Sequence, residues 1–553
     1  MKFKKFFGLL LVLVLTVVLA GCQRFEKLTV LSADNLKAEI NKQKSKVQIK
    51  FRVSFGKDIY DVVEKELVAP FNEQLAKEGY NAEVKLEQES GYDSLLKKNR
   101  EDARSRKYAP HVSLAYPDHI AKYLISGVIQ ELSSFVNDSK IGIKNEIADF
   151  NQEYLKETRY FDEKETIYGL PFNKSTEVMY YRRDFMEQFP IDYKNALKTE
   201  LFEDGDLPKA KDFLVEVRDS EGKLTAKHIK VPRTWEEIED FSNFIVKALK
   251  KYYDCLKADP KIALPEYFGG QEKFDAAFGD FVDFNGKQTF KNFRTVMYDS
   301  LGNFFTTAMH QSDAPYTGAI INNGKVDVQR GLHKYVDNVD SQKAILYFKN
   351  LFDKAVLGVP QQWEEKYAST LLSNCRTLLN VGSSGGTNYY TNGEYGVVPA
   401  PYRTDKNKRT VIQQGTNLVM FNTGTNLQRN LAWKFIKTIL TPENCAKFSM
   451  GTGYLPVRKS VYEIPAYKEF LAKPSLKTEV VRVMKDFYES PDQNVKYTFF
   501  VDPAWGTSSE VRTNSETYLK AILMDLQIFD KPENEQLAKI NEQFKKIHEK
   551  STK

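Results

Sequence analysis

Cysteine is scarce in this chain. Its 553 residues hold four, Cys22, Cys255, Cys375 and Cys445, with no C-x-x-C spacing, which excludes a disulfide-stapled scaffold and a zinc ribbon. The last three read as isolated buried thiols, with one bridge among them left open for an exported chain. Histidine is also sparse: His111, His119, His228, His310, His333 and His548 form no H-E-x-x-H pair, and no acidic loop has calcium spacing, so neither a catalytic metal nor a cofactor is expected. An excess of one charge is missing too. Eighty basic against 74 acidic side chains leave +6, too little for a nucleic-acid binder of this length. With only 20 prolines and no repeat or low-complexity tract, disordered and collagen-like classes are excluded.

What is present is core-forming material. Apolar residues make up 42% and aromatics 13%, and the length exceeds the ~250–300 residues at which one core stops growing, so two lobes are expected. The N-terminus carries Lys2, Lys4 and Lys5, an apolar run over 8–20, and then Leu19-Ala20-Gly21-Cys22. This is a secretory leader, too short to span a bilayer. It resembles a bacterial lipoprotein signal over residues 1–21, in which the Cys22 thiol is acylated and becomes the new N-terminus. Losing the three lysines would lower the charge from +6 to +3, so membrane attachment would be by lipid, not by a polybasic patch.

Residues 22–46 are polar and lysine-rich and read as a lipid anchor and tether. From Val47 onward, strand and helix patterns alternate: strands at 47–55, 82–87 and 111–115, helices at 59–78 and 92–105. Such alternation predicts an α/β fold with a mostly parallel sheet, whose ligands bind beyond the strand carboxyl ends. Residues 193–231 read as a charged insertion with a hairpin, turning at 204–206 and 219–222. Thr234 and Glu237 form a capping-box signature before a helix at 235–253. Further helices are expected at 341–355, 429–440 and 513–526.

The segment Gly382-Ser383-Ser384-Gly385-Gly386 satisfies G-x-S-x-G after an apolar strand. A hydrolase of that order needs a histidine downstream, where only His548 stands, so a nucleophilic Ser384 is the minor reading. A small-residue loop presenting N–H and hydroxyl groups to an anionic or polyhydroxylated ligand is the major one. Tyr180, Tyr181, Tyr389, Tyr390 and Tyr454 follow polar or small-residue loops, as stacking side chains of a ligand cleft do.

Ordered blocks sharpen this reading: Tyr92-Asp93-Ser94-Leu95; 110–118; 168–181; Pro232-Arg233-Thr234-Trp235; 382–386; Gly415-Thr416-Asn417-Leu418; 432–436; Thr441-Pro442-Glu443-Asn444; and 452–457. In this set and order the chain resembles the extracellular solute-binding proteins of ABC importers, in the family of maltose, multiple-sugar and glycerol-3-phosphate receptors. Within it the resemblance is to the glycerol-3-phosphate branch, over most of 47–530. It implies a two-lobed, periplasmic-binding-protein-like (type II) fold with a hinge and an interlobe cleft. Lobe 1 is expected at 47–177 and 375–417, lobe 2 at 178–374 and 418–553. It also implies ligand contacts at Tyr92, Ser175, Ser383 or Ser384, Gly415, Tyr454 and Arg512. Asp118 stands near where the family has a glutamate. Arg512 would bond a phosphate bidentately.

The expected protein is thus a monomeric, lipid-anchored, non-enzymatic receptor on the outer face of the cell membrane. It would close over glycerol 3-phosphate, a glycerophosphodiester or a related sugar or sugar phosphate and deliver it to an ABC permease. The rivals are a receptor for neutral oligosaccharides, a surface serine hydrolase using Ser384, and a surface protein that has lost transport.

Overall fold

The computed structural model describes residues 26–105 and 109–552. The leader and Cys22 lie outside the described residues.

Two sheets organise the chain. The first runs in the order Ala82–Gln88, Val47–Val53, Val112–Ala115, Gln414–Phe421, Ile129–Gln130, and Leu170–Ser175 also pairs with Gln414–Phe421. The first three strands are parallel, and Gln414–Phe421 is antiparallel to its neighbours. Ile49, Phe51 and Val53 are fully buried at alternate positions, which fixes the register of their strand. The second sheet runs Leu357–Gly358, Val296–Tyr298, Leu379–Ser383, Glu177–Arg182, Tyr395–Pro399. Each sheet has its own core.

The chain crosses between sheets within one residue. Leu170–Ser175 belongs to the first sheet, Glu177–Arg182 to the second, and Thr176 alone separates them. The return crossing runs beside it: Thr410–Ile412 pairs with Thr498–Phe500, and two residues on Gln414–Phe421 begins. The Thr176 hydroxyl donates to the Ile412 carbonyl at 2.8 Å, joining the two crossings. These paired crossings form the hinge between the lobes.

Three expectations need correction. First, residues 26–41 are not a tether. Ser32 caps the Ala33–Asn41 helix, which buries Leu36 and Ile40 in the first core. Asn426 and Asn430 accept from the Thr29 and Leu31 amides at 2.8 Å. An i, i+4 apolar pair is enough to seat one face of a short, otherwise charged helix.

Second, Leu379–Ser383 and Tyr395–Pro399 belong to the second sheet, not to lobe 1, because both pair with Glu177–Arg182. Conversely, Asn426–Ile439 and Pro442–Thr452 belong with the first core. Trp433 stacks on Phe135 at 5.4 Å, and Phe435 packs edge-on to Phe51 and Phe71 at 5.3 and 5.1 Å. Removing such a buried aromatic costs about 3–5 kcal/mol, which holds these helices to that lobe.

Third, the stretch expected as an insertion begins inside a helix, Arg183–Leu197, which stops at Lys198 in the left-handed conformation. The expected hairpin is present as Leu214–Arg218 and Leu224–Ile229, with Asp219 accepting from Glu221 and Lys223 amides at its turn. The segment is anchored by buried Leu201, Phe202 and Phe213.

Local signals elsewhere were specific. Thr234 accepts from the Glu237 amide at 3.1 Å and opens the Trp235–Ala258 helix, while Glu237 itself takes the Arg233 amide at 2.6 Å. The helix expected at 59–78 forms with a wider turn at Glu64–Val68, just before Pro70; proline has no N–H to continue the ladder. The three described cysteines are free thiols. Among the described residues no helix is long and apolar enough to cross a membrane.

Candidate functional site

Two adjoining cavities lie between the lobes, sharing Tyr116, Asp118 and Arg512 as lining residues. Lobe 1 supplies Tyr92, at the start of the Tyr92–Ser105 helix, and Tyr116 and Asp118, at the start of Pro117–Ile125. The Tyr92 and Tyr116 rings meet edge to face at 4.9 Å. Asn173, on the strand leading into the hinge, donates to the Tyr92 hydroxyl at 3.3 Å. Tyr454 adjoins that hydroxyl and lies parallel to Phe448, with ring centres 5.8 Å apart. Asp118 accepts from the His119 amide at 3.0 Å and is otherwise turned to the cavity.

Lobe 2 supplies Arg512 from the Ser508–Met524 helix. Its Nη2 donates to Asn303 Oδ1 at 3.0 Å. Among the described residues no carboxylate lies within 4.0 Å of its guanidinium. Asn303 in turn donates to Glu177 Oε1 at 3.1 Å, and the Tyr298 hydroxyl donates to Glu177 Oε2. Burial raises the Glu177 pKa to about 7 against the pull of those two donors. Arg512 is therefore oriented by a chain of hydrogen bonds that reaches the first residue past the hinge.

The floor of the cavity is a buried ion pair. Glu157 bonds Lys174, Gln413 Nε2, and Asn417 Nδ2, the last at 2.6 Å, while Lys174 also donates to the Gly415 carbonyl at 3.2 Å. Burial lowers the Lys174 pKa and Glu157 opposes it. Two buried oxygens of the cavity lining, Gln413 Oε1 and Thr317 Oγ1, have no partner among the described residues. Such atoms cost roughly 1–3 kcal/mol each unless something donates to or accepts from them.

The sequence-derived residues thus divide into two groups. Tyr92, Asp118 and Arg512 line one cavity, with Tyr454 behind Tyr92. Ser175, Ser383, Ser384 and Gly415 instead build the crossing. Ser384 is fully buried: its amide donates to the Thr176 carbonyl at 2.7 Å and its Oγ accepts from the Thr176 amide at 3.0 Å. Ser383 Oγ accepts from the Gly385 amide at 3.3 Å, capping the turn that begins at Ser384. Ser175 Oγ donates to Gln414 Oε1 at 3.4 Å. Gly415 has φ +93°, and a Cβ there would stand 1.8 Å from the Asn173 carbonyl, so only glycine lets the two strands approach. Gly385 faces Tyr454, whose ring would lie 3.2 Å from a Cβ.

A nucleophilic role for Ser384 does not fit this geometry. Its hydroxyl is enclosed, and His548 lies on the C-terminal helix with its ring 4.5 Å from that of His333. Sequence reasoning missed Asn303, Gln413, Glu157 and Trp505. Of these only Trp505 left a trace, as one of four tryptophans, standing between Pro503 and Gly506 just before the Arg512 helix.

A cleft between two α/β lobes joined by short paired crossings defines a ligand-binding receptor architecture, and the sequence agrees. The family model for bacterial extracellular solute-binding proteins matches residues 66–478, and the chain belongs to that family. The maltose-bound MalE3 of T. maritima shares the fold with a TM-score of 0.55 at 15% identity, over 91% of this chain and 100% of that one. UgpB from Mycobacterium tuberculosis, in complex with glycerophosphocholine, matches with 0.55 at 14%, over 92% and 99%. The Thermus thermophilus maltotriose-binding protein matches with 0.53 at 14%, over 90% and 99%. No curated relative matches the sequence.

Proposed function

We propose that this protein is the solute receptor of an ABC importer, anchored by lipid at Cys22. It captures a hydroxylated, anionic solute of the glycerol-phosphate or sugar-phosphate kind and delivers it unchanged to a permease. The observation that carries this reading is Arg512: a guanidinium in the cleft wall, oriented by Asn303 and free of a carboxylate partner within 4.0 Å among the described residues. A phosphate accepts from such a fork bidentately, at about twice the strength of a neutral hydrogen bond. Tyr92 and Tyr116 offer ring faces, and Asp118, Gln413 Oε1 and Thr317 Oγ1 offer partners for hydroxyls. The relatives with bound maltose and glycerophosphocholine support both halves of this ligand class.

Binding between the lobes favours the closed arrangement because the solute touches both walls at once. Lys122 of lobe 1 donates to Ser509 and Glu510 of lobe 2 across the same cleft, at 2.6 and 2.7 Å. The test is thermal stabilisation of the purified protein by glycerol 3-phosphate, glycerophosphodiesters, maltose and longer neutral glycans. A ligand at 100 times its Kd adds about 2.7 kcal/mol. Stabilisation by the phosphorylated compounds, lost in Arg512→Gln, supports the reading. Stabilisation by neutral glycans alone removes the anion from it, and stabilisation by none removes the receptor.

A further inference from the structure

On the outer side of the Arg512 cavity lies a second space between the lobes, sharing Asp93, Ser509 and Thr513 with it. Its volume is ≈ 480 Å³, room for at least one further sugar ring with a charged substituent. One wall is a single face of the Tyr92–Ser105 helix, presenting Lys97, Arg100 and Arg104 on successive turns. The opposite wall is the start of Ser508–Met524, with Ser509, Thr513 and Asn514.

The charges on this helix separate by face. Away from the cavity, Lys98 pairs with Asp102 at 3.3 Å, and Asp102 also takes Arg52 at 2.9 Å. Toward the cavity, Lys97, Arg100 and Arg104 have no carboxylate within 4.0 Å among the described residues. Arg100 Nε is moreover buried with no hydrogen-bond partner among the described residues. The acids on the same walls are Asp93, Glu101 and Glu510, and Glu510 is engaged by Lys122 at 2.7 Å. Among the described residues Lys97, Arg100 and Arg104 thus stand without an ion pair on one face of the helix that lines this space.

We infer that this outer space is a second anion subsite, and that the solute is a saccharide carrying a second anionic group that extends from the Arg512 cavity to Lys97, Arg100 and Arg104. The inference rests on the receptor reading above and narrows its ligand to elongated, multiply charged saccharides. Half-buried Arg100 is the least mobile of the three cations, while Lys97 and Arg104, which are exposed, add attraction that salt screens.

The experiment is calorimetric titration of the full chain in detergent with paired probes. Glucose 6-phosphate is set against glucose 1,6-bisphosphate, and trigalacturonate against its neutral methyl ester, so that phosphate and carboxylate chemistry are separated. In at least one pair the more highly charged member binds about tenfold more tightly. The triple variant Lys97→Gln/Arg100→Gln/Arg104→Gln abolishes that gain and leaves the less charged member unaffected. Lys98→Gln, on the same helix but outside the cavity, keeps the gain and controls for helix damage. Equal affinity within both pairs, or a gain that survives the triple variant, overturns the second subsite while leaving the receptor standing. Failure of every saccharide, charged or neutral, overturns both.

Discussion

Glu177 is the first residue past the hinge and is 1% exposed. Its carboxyl accepts from Tyr298 and Asn303 and is held at a pKa of about 7, against 4.5 when unperturbed. The folded state therefore binds this proton more tightly than the unfolded chain does. Folding takes up a proton between pH 4.5 and 7, and stability falls as pH rises through that window. Below it the group contributes no pH dependence, and above it the penalty is complete. The rise from 4.5 to about 7 corresponds to about 3 kcal/mol. Glu177→Gln keeps an acceptor for one donor and carries no charge, so it should remove the slope. The variant is expected to match the wild type in stability near pH 4.5 and to exceed it by up to about 3 kcal/mol at pH 8. Urea unfolding followed at both pH values, with lobe 2 reported by Trp235 and Trp505, measures the difference. A variant less stable than the wild type at pH 8, or a difference independent of pH, refutes the reasoning. The effect would also reach the cleft, because Asn303 joins Glu177 to Arg512.

Three further outcomes follow from the geometry. Arg512→Gln should weaken a phosphorylated solute by tenfold or more, since a charged hydrogen bond is worth about 1.5–3 kcal/mol, with little effect on a neutral one; titration of both solutes checks this. Gly415→Ala should lower the midpoint of thermal unfolding and impair closure, because the added Cβ meets the Asn173 carbonyl at 1.8 Å in a left-handed backbone; a wild-type melt would contradict it. Wild-type protein should resist labelling by a serine-reactive fluorophosphonate, since Ser384 Oγ is enclosed and bonded to Thr176.

Much of the fold was legible because local patterns and tertiary structure agree. The strands at 47 and 82, the cap at Thr234 and the hairpin turning at Asp219 all appear where spacing placed them. Lobe membership was not legible. Leu379–Ser383 and Gln414–Phe421 are both short apolar strands after loops, and only their pairing partners assign them to different sheets. The Ala33–Asn41 helix was hidden because Leu36 and Ile40, its two large apolar residues, carry no visible period among the charges. At the site, Tyr92, Asp118 and Arg512, which the family resemblance singled out, line one cavity. The serines and Gly415 build the crossing, and sequence does not separate that role from a ligand loop, because a hinge demands the same small residues and hydroxyl-to-backbone bonds. Asn303 and Gln413 carried no signal, since an isolated amide gains its role only from what folding brings beside it.

The central claim is that the cleft holds an anionic solute through Arg512 and leaves it chemically unchanged. Equilibrium dialysis of the purified protein against radiolabelled glycerol 3-phosphate and glycerophosphodiesters, with the bound solute recovered and identified, tests it most directly. The account predicts saturable binding of one solute molecule per chain, recovery of intact solute, and loss of binding in Arg512→Gln. Hydrolysed solute, or binding indifferent to Arg512→Gln, would contradict it.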